Sequence, residues 1–159
     1  MQLCILAGVV LYHQNLAKGS KIFLRIGPVD PTSPLRGDYL TLNYPDISRV
    51  EISRFTYQPV NAGDIIYLPV RQVGKLWQPI PEEKIGRTKP VMGVFLKGVV
   101  ENVYADKAGI LYGIESYFIP EGSGSNVKWG DNDYAVVAVD NNGNPALLQV
   151  FIDNRSFPD

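Results

Sequence analysis

Three carboxylates stand where a side chain could do more than meet water. Asp38 sits in Arg36-Gly37-Asp38-Tyr39, and Glu115 and Glu121 sit in Gly113-Ile114-Glu115-Ser116-Tyr117-Phe118-Ile119-Pro120-Glu121-Gly122. Two carboxyl groups can cleave a glycan as acid and base, with retention at a separation of about 5 Å and inversion at about 6.5–9.5 Å. Tyr39, Tyr112 and Tyr117 would line such a cleft, and aromatic rings beside carboxylates suit sugars. Spacing along the chain does not by itself bring Asp38, Glu115 and Glu121 together. The preferred reading of each is architectural. An Asp after a Gly bonds the amides of a tight turn, here one feeding a strand at Tyr39. In an extended strand Glu115 shares a face with Leu111, Tyr117 and Ile119, while Ile110, Tyr112, Ile114 and Phe118 take the other. A carboxylate in those surroundings needs a cation or several donors, or its pKa rises. Arg36 is the expected partner. Glu121 leads into Gly122-Ser123-Gly124-Ser125, a flexible connection or a lid. Arg36, Asp38, Tyr39, Tyr112 and Tyr117 form the candidate binding set.

Other chemistries are poorly supplied. The chain has one histidine, His13, and one cysteine, Cys4, both in the N-terminal segment. A site built on two imidazoles is excluded, and a Ser-His-Asp triad would have to grow beside a hydrophobic tail. No CxxC pair, glycine-rich phosphate loop or metal-ligand spacing occurs, so no metal or other cofactor is expected. The formal net charge is −1, from 15 basic and 16 acidic residues. Lys and Arg are interspersed rather than clustered, which argues against nucleic acid as a partner.

The elements that must position these residues read as strands. The 159 residues are 45% hydrophobic and include nine Tyr, enough for one domain with a proper core. Alternation predicts strands at Lys21–Ile26, Tyr39–Tyr44, Ile65–Val70, Gly74–Pro79, Gly93–Val103, Ile110–Ile119, Tyr134–Val139 and Ala146–Ile152, with Ile47–Phe55 continuing the second past Pro45. Leu40, Leu42 and Tyr44 fall on one face of their strand. Asn141-Asn142-Gly143-Asn144 predicts a hairpin turn, and Ala105–Gly109 a weaker one. Gly-Asp precedes a strand three times, at Gly37-Asp38, Gly63-Asp64 and Gly130-Asp131, which reads as turn chemistry. The expected fold is all-β, a β-sandwich or a partly open barrel, preceded by a short hydrophobic helix.

That helix is assigned to residues 1–18, and residues 19–159 to a single β-rich domain. Leu3–Tyr12 (LCILAGVVLY) is apolar throughout but shorter than the roughly 20 residues that cross a bilayer. It reads either as a short buried helix or, preferentially, as the end of a truncated membrane anchor. Lys18-Gly19 reads as its stop.

Gly37-Asp38-Tyr39, Leu42 and Tyr44 fit the signature Gly-Asp-Tyr-x-x-Leu-x-Tyr without a mismatch. With Pro28-Val29-Asp30-Pro31, Leu35-Arg36 and the segment from Gly113 to Gly122, the chain resembles the GDYXXLXY family of bacterial proteins from about residue 3 to residue 152. The resemblance implies anchoring by an N-terminal helix, a domain facing the periplasm or cell exterior, and for some members the company of multi-spanning membrane proteins. It implies no particular reaction. A second likeness, of Val29-Asp30-Pro31-Thr32 and Arg36-Gly37-Asp38-Tyr39 to the nucleophile region of signal peptidases, fails at its centre. Pro28 stands in the place of the serine, and Ser33 and Pro34 intervene, so serine–lysine catalysis is expected to be absent.

The leading expectation is therefore a membrane-anchored, non-enzymatic envelope module that binds an integral membrane protein through its sheet surface and the Gly-Asp-Tyr turn. The alternative is a carboxylate-based enzyme or ligand-binding domain acting on envelope glycans.

Overall fold

A computed structural model describes residues 19–28, 35–36, 39–121 and 127–158, with the backbone alone at 35 and 36. In chain order the strands are β1 (Ser20–Arg25), β2 (Gly27–Pro28), β3 (Leu35–Arg36), β4 (Tyr39–Asn43) and β5 (Arg49–Glu51). After a 3-10 turn at Ile52–Arg54 come β6 (Ile65–Val73), β7 (Leu76–Pro79), β8 (Val94–Tyr104) and β9 (Lys107–Leu111). Then follow β10 (Ser116–Phe118), β11 (Tyr134–Val139), β12 (Pro145–Ile152) and β13 (Arg155–Phe157).

These strands form three sheets, all antiparallel. One runs β1-β11-β12-β13, one runs β10-β4-β2 with β3 also on β4, and a five-stranded one runs β5-β9-β8-β6-β7. The fold is all-β, as expected, and includes a half-barrel sheet. Period-two alternation builds its core. Ile22 and Leu24, Leu40 and Leu42, Ile66 and Leu68, Ala108 and Ile110, and Val150 and Ile152 turn inward and join one buried cluster. Phe23, Tyr134 and Phe151, from the same strands, lie on the other face of the first sheet. Tyr134 stacks on Phe151 at 4.9 Å, and the Lys75 ammonium lies 3.8 Å from the centre of the Tyr134 ring. Lys75 follows β6 in the tight turn to β7, so this cation–π contact fastens that hairpin to the first sheet.

The strands expected at 134–139, 39–44, 65–70 and 93–103 form close to their expected bounds. The Asn141–Asn144 turn forms with Gly143 at φ +80°, where a Cβ would lie 2.7 Å from the Phe95 ring. Four readings need correction. The strand expected over Ile110–Ile119 is two, β9 and β10, in different sheets, because Gly113 takes φ +82° and turns the chain. Ile47–Phe55 contains only the short β5 and the 3-10 turn. At Gly130-Asp131 the turn carboxylate is Asp133, 1% exposed, which accepts from the Gly130 and Asp153 amides at 2.7 and 3.0 Å. β13 was not expected, being three residues beyond the last alternating run. The predicted N-terminal helix, Cys4, His13, Gly37 and Asp38 lie outside the described residues. Among the described residues no helix is long and apolar enough to cross a membrane.

Gly98, near the middle of β8, lets Ile110 of β9 and the following Tyr112 approach the strand closely. A Cβ there would sit 2.6 Å from Ile110 Cγ2 and 2.9 Å from Tyr112 Cε1, both on buried residues. Gly98→Ala is therefore expected to destabilise by about 1–3 kcal/mol through overpacking, read as a lowered urea midpoint at unchanged slope.

Candidate functional site

The Gly-Asp-Tyr segment and the Gly113–Gly122 segment, which together carry the resemblance, meet in space. β4 supplies Leu42 and leads to Tyr44, both buried by the alternation that also buries Leu40. The Leu42 amide donates to the Glu115 carbonyl at 2.7 Å, and the Tyr44 hydroxyl donates to the Ile114 carbonyl at 2.5 Å. The turn they grip is braced from within. Glu115 takes the Tyr112 amide on one carboxylate oxygen at 2.6 Å and the Gly113 amide on the other at 2.9 Å. Tyr112 then reaches back, donating its hydroxyl to the Ile47 carbonyl at 2.8 Å. Burial, with the Glu115 carboxylate adding to it, pushes the phenols of Tyr44 and Tyr112 far above their ordinary range, so both stay protonated donors.

The expected strand faces around Glu115 do not hold, because the chain turns at Gly113. Phe118 and Leu111 are exposed while Ile119 is buried. The donors that satisfy Glu115 are two backbone amides of its own turn. Arg36, its expected partner, is described only in its backbone, which pairs with Tyr39 between β3 and β4. Tyr112, a candidate for ligand contact, is buried and has a structural hydrogen bond. Tyr117 is half-buried and packs against the core.

A shallow groove of about 320 Å³ opens beside the turn, between β4 and β9. Glu115 lines it with Asn43, Arg49, Glu101 and Asn102. Glu101 is the extra residue of a β-bulge, since Val100 pairs with Ile110 and Asn102 with Gly109. Arg49 and Glu101 could not be picked out from spacing, because the bulge and the β5–β9 pairing bring them there. Glu121 is exposed and does not line this groove. Among the described residues no group of three His, Cys, Asp or Glu could hold a metal ion.

On the second sheet Tyr39 and Phe118 are direct cross-strand partners, 51% and 63% exposed, with ring centroids 5.5 Å apart edge to face. Tyr39 is the signature tyrosine whose ring stays at the surface, whereas Tyr44 is committed to the core. A further polar cluster closes on itself. Asp64 accepts from the Asn61 amide, the Tyr57 hydroxyl and Arg87, whose guanidinium lies 3.9 Å from the centre of the Tyr57 ring. The Asn61 amide, chiefly, and then Arg87 and Tyr57 hold the Asp64 carboxyl below its ordinary value.

Two outcomes follow. Tyr44→Phe leaves the Ile114 carbonyl unpaired in the core and is expected to cost about 1–3 kcal/mol in denaturant unfolding. Asp64 has a depressed pKa in the fold, so its contribution is present above its unfolded pKa and is lost as pH falls through the folded one. The stability gap between the native chain and Asp64→Asn should therefore narrow below the ordinary Asp value of about pH 3.9. A gap that stays constant with pH would contradict the assignment.

No curated protein and no solved structure matches the chain. One family model does match, over residues 2–150, and its signature is spelled by Gly37-Asp38-Tyr39, Leu42 and Tyr44. The chain belongs to the GDYXXLXY protein family.

Proposed function

We propose that this chain is a membrane-anchored bacterial envelope domain that binds an integral membrane protein, without catalysis, through the surface around Tyr39 and Phe118. The observation that carries the reading is that aromatic pair. Leu42 and Tyr44 have internal tasks, whereas Tyr39 places its ring in water against Phe118. Exposed aromatic residues that can be desolvated together are the side chains that most often anchor protein contacts. Among the described strands β10 pairs on one side only, with β4, so a partner strand could add beside Phe118. Leu3–Tyr12 supports placement at a membrane, and the family resemblance supports a membrane-protein partner facing the periplasm or cell exterior.

The glycan reading survives in a narrower form, as ligand binding in the groove lined by Arg49, Glu101 and Glu115. Acid–base catalysis has less support, because both Glu115 oxygens already accept backbone amides.

The test is co-purification of the full-length protein in mild detergent. A stoichiometric membrane-protein partner is expected. Tyr39→Ser and Phe118→Ser should each weaken its binding by roughly 2 kcal/mol, while Tyr104→Ser, at another exposed aromatic, should not. Purification without a partner, or equal binding by the Tyr39→Ser/Phe118→Ser double variant, would reject the proposal.

A further inference from the structure

Val91 and Met92 are 99% and 85% exposed, two neighbouring apolar side chains with almost no protein around them. Single exposed apolar residues are ordinary on any surface, but an adjacent pair at the tip of a loop is not. This loop is fastened on both flanks. Before it, the Lys89 ammonium donates to the Asn142 side-chain carbonyl at 2.9 Å. After it, Gly93 takes φ +82° and turns the chain into β8, where Phe95 is buried against Gly143. The Lys97 amide also bonds the Gly143 carbonyl at 2.8 Å. The hairpin turn at Asp140–Asn144 thus props the loop, and Val91 and Met92 project from a built support.

The same surface includes the start of the domain. Ser20, the first residue of β1, lines one cavity of about 320 Å³ with Lys89, Val91, Met92 and Asp140. Counting back from Ser20, Tyr12 closes the apolar run Leu3–Tyr12. Eight residue steps reach at most about 28 Å, so a membrane that holds the run must lie close to this end of the fold. Lys18 and Lys21 flank the junction and Lys89 flanks the loop, which suits a surface of anionic headgroups.

We propose that the Val91-Met92 loop is a second membrane contact, placing both side chains roughly 5–10 Å into the lipid interface beside the N-terminal segment. The inference rests on the membrane-anchored reading above and adds an orientation to it. β8 runs from Val94, next to the loop, to Tyr104 at the β8–β9 turn, so the turn lies roughly 30 Å from the loop and points away from the bilayer.

The experiment uses the full chain in vesicles of phosphatidylcholine and phosphatidylglycerol, with an environment-sensitive thiol probe at one position at a time. The three positions are native Cys4, Met92→Cys on a Cys4→Ser background, and Tyr104→Cys on the same background. The probe at position 92 should shift to shorter wavelength and be quenched by nitroxide-bearing lipids, and the probe at 104 should stay in water. Val91→Asp, at a fully exposed position, should return the probe at 92 towards water. If Cys4 is quenched by lipid but position 92 behaves like 104, the loop inference falls and anchoring stands. If position 92 is quenched while Cys4 is in water, the loop binds lipid and the anchored reading falls. A probe at 92 shielded from water yet untouched by lipid-borne quencher would point to protein covering the loop, and would overturn the inference.

Discussion

Two hydrogen bonds from the β4 segment into the turn after β9 join the second sheet to the five-stranded one. They run from the Leu42 amide to the Glu115 carbonyl and from the Tyr44 hydroxyl to the Ile114 carbonyl. Glu115 stiffens the turn they grip, and Tyr112 closes the circuit by bonding Ile47, three residues past Tyr44. Each member thus holds another in place. In a low-dielectric interior such a closed set is strong while complete and costly when one member is lost. A short signature and a distant segment that looked like separate motifs are two halves of one fastening.

This explains what the residues can still do. A carboxylate beside tyrosines looked available for acid–base work, yet both Glu115 oxygens are used by the turn and two neighbouring tyrosines are protonated structural donors. The groove beside it is lined by Arg49 and Glu101 as well as by apolar Leu111. What the fold leaves uncommitted is aromatic surface, with Tyr39 and Phe118 on a small sheet whose outer strand has one neighbour among the described strands.

Much of the fold could be read from alternation. Strands whose inward residues alternate cleanly, such as Leu40-Thr41-Leu42 and Lys21–Ile26, formed close to where expected, and Leu40, Leu42 and Tyr44 are buried together. Alternation misled between Ile110 and Ile119, because apolar residues continue across Gly113 while the backbone does not stay extended. Whether a glycine sits in a strand or turns it depends on φ, which no hydrophobic pattern encodes. The groove was illegible for a related reason. Glu101 reaches it through a bulge and Arg49 through a three-residue strand, and both depend on pairing between segments far apart in the chain. Phe118 was placed on one face with Ile110, Tyr112 and Ile114 by the same error, so its partnership with Tyr39 emerged only from the register of β10 on β4.

The length of β8 has a mechanical consequence. A single strand links the loop at one end of the molecule to the hairpin turn at the other, and it is hydrogen-bonded to β6 on one side and β9 on the other. Such an element behaves as a lever arm. A tilt of about ten degrees at the base would sweep Tyr104 through roughly 5 Å, given a rise of about 3.3 Å per residue. Small changes in how the base is seated would therefore be magnified at the far turn.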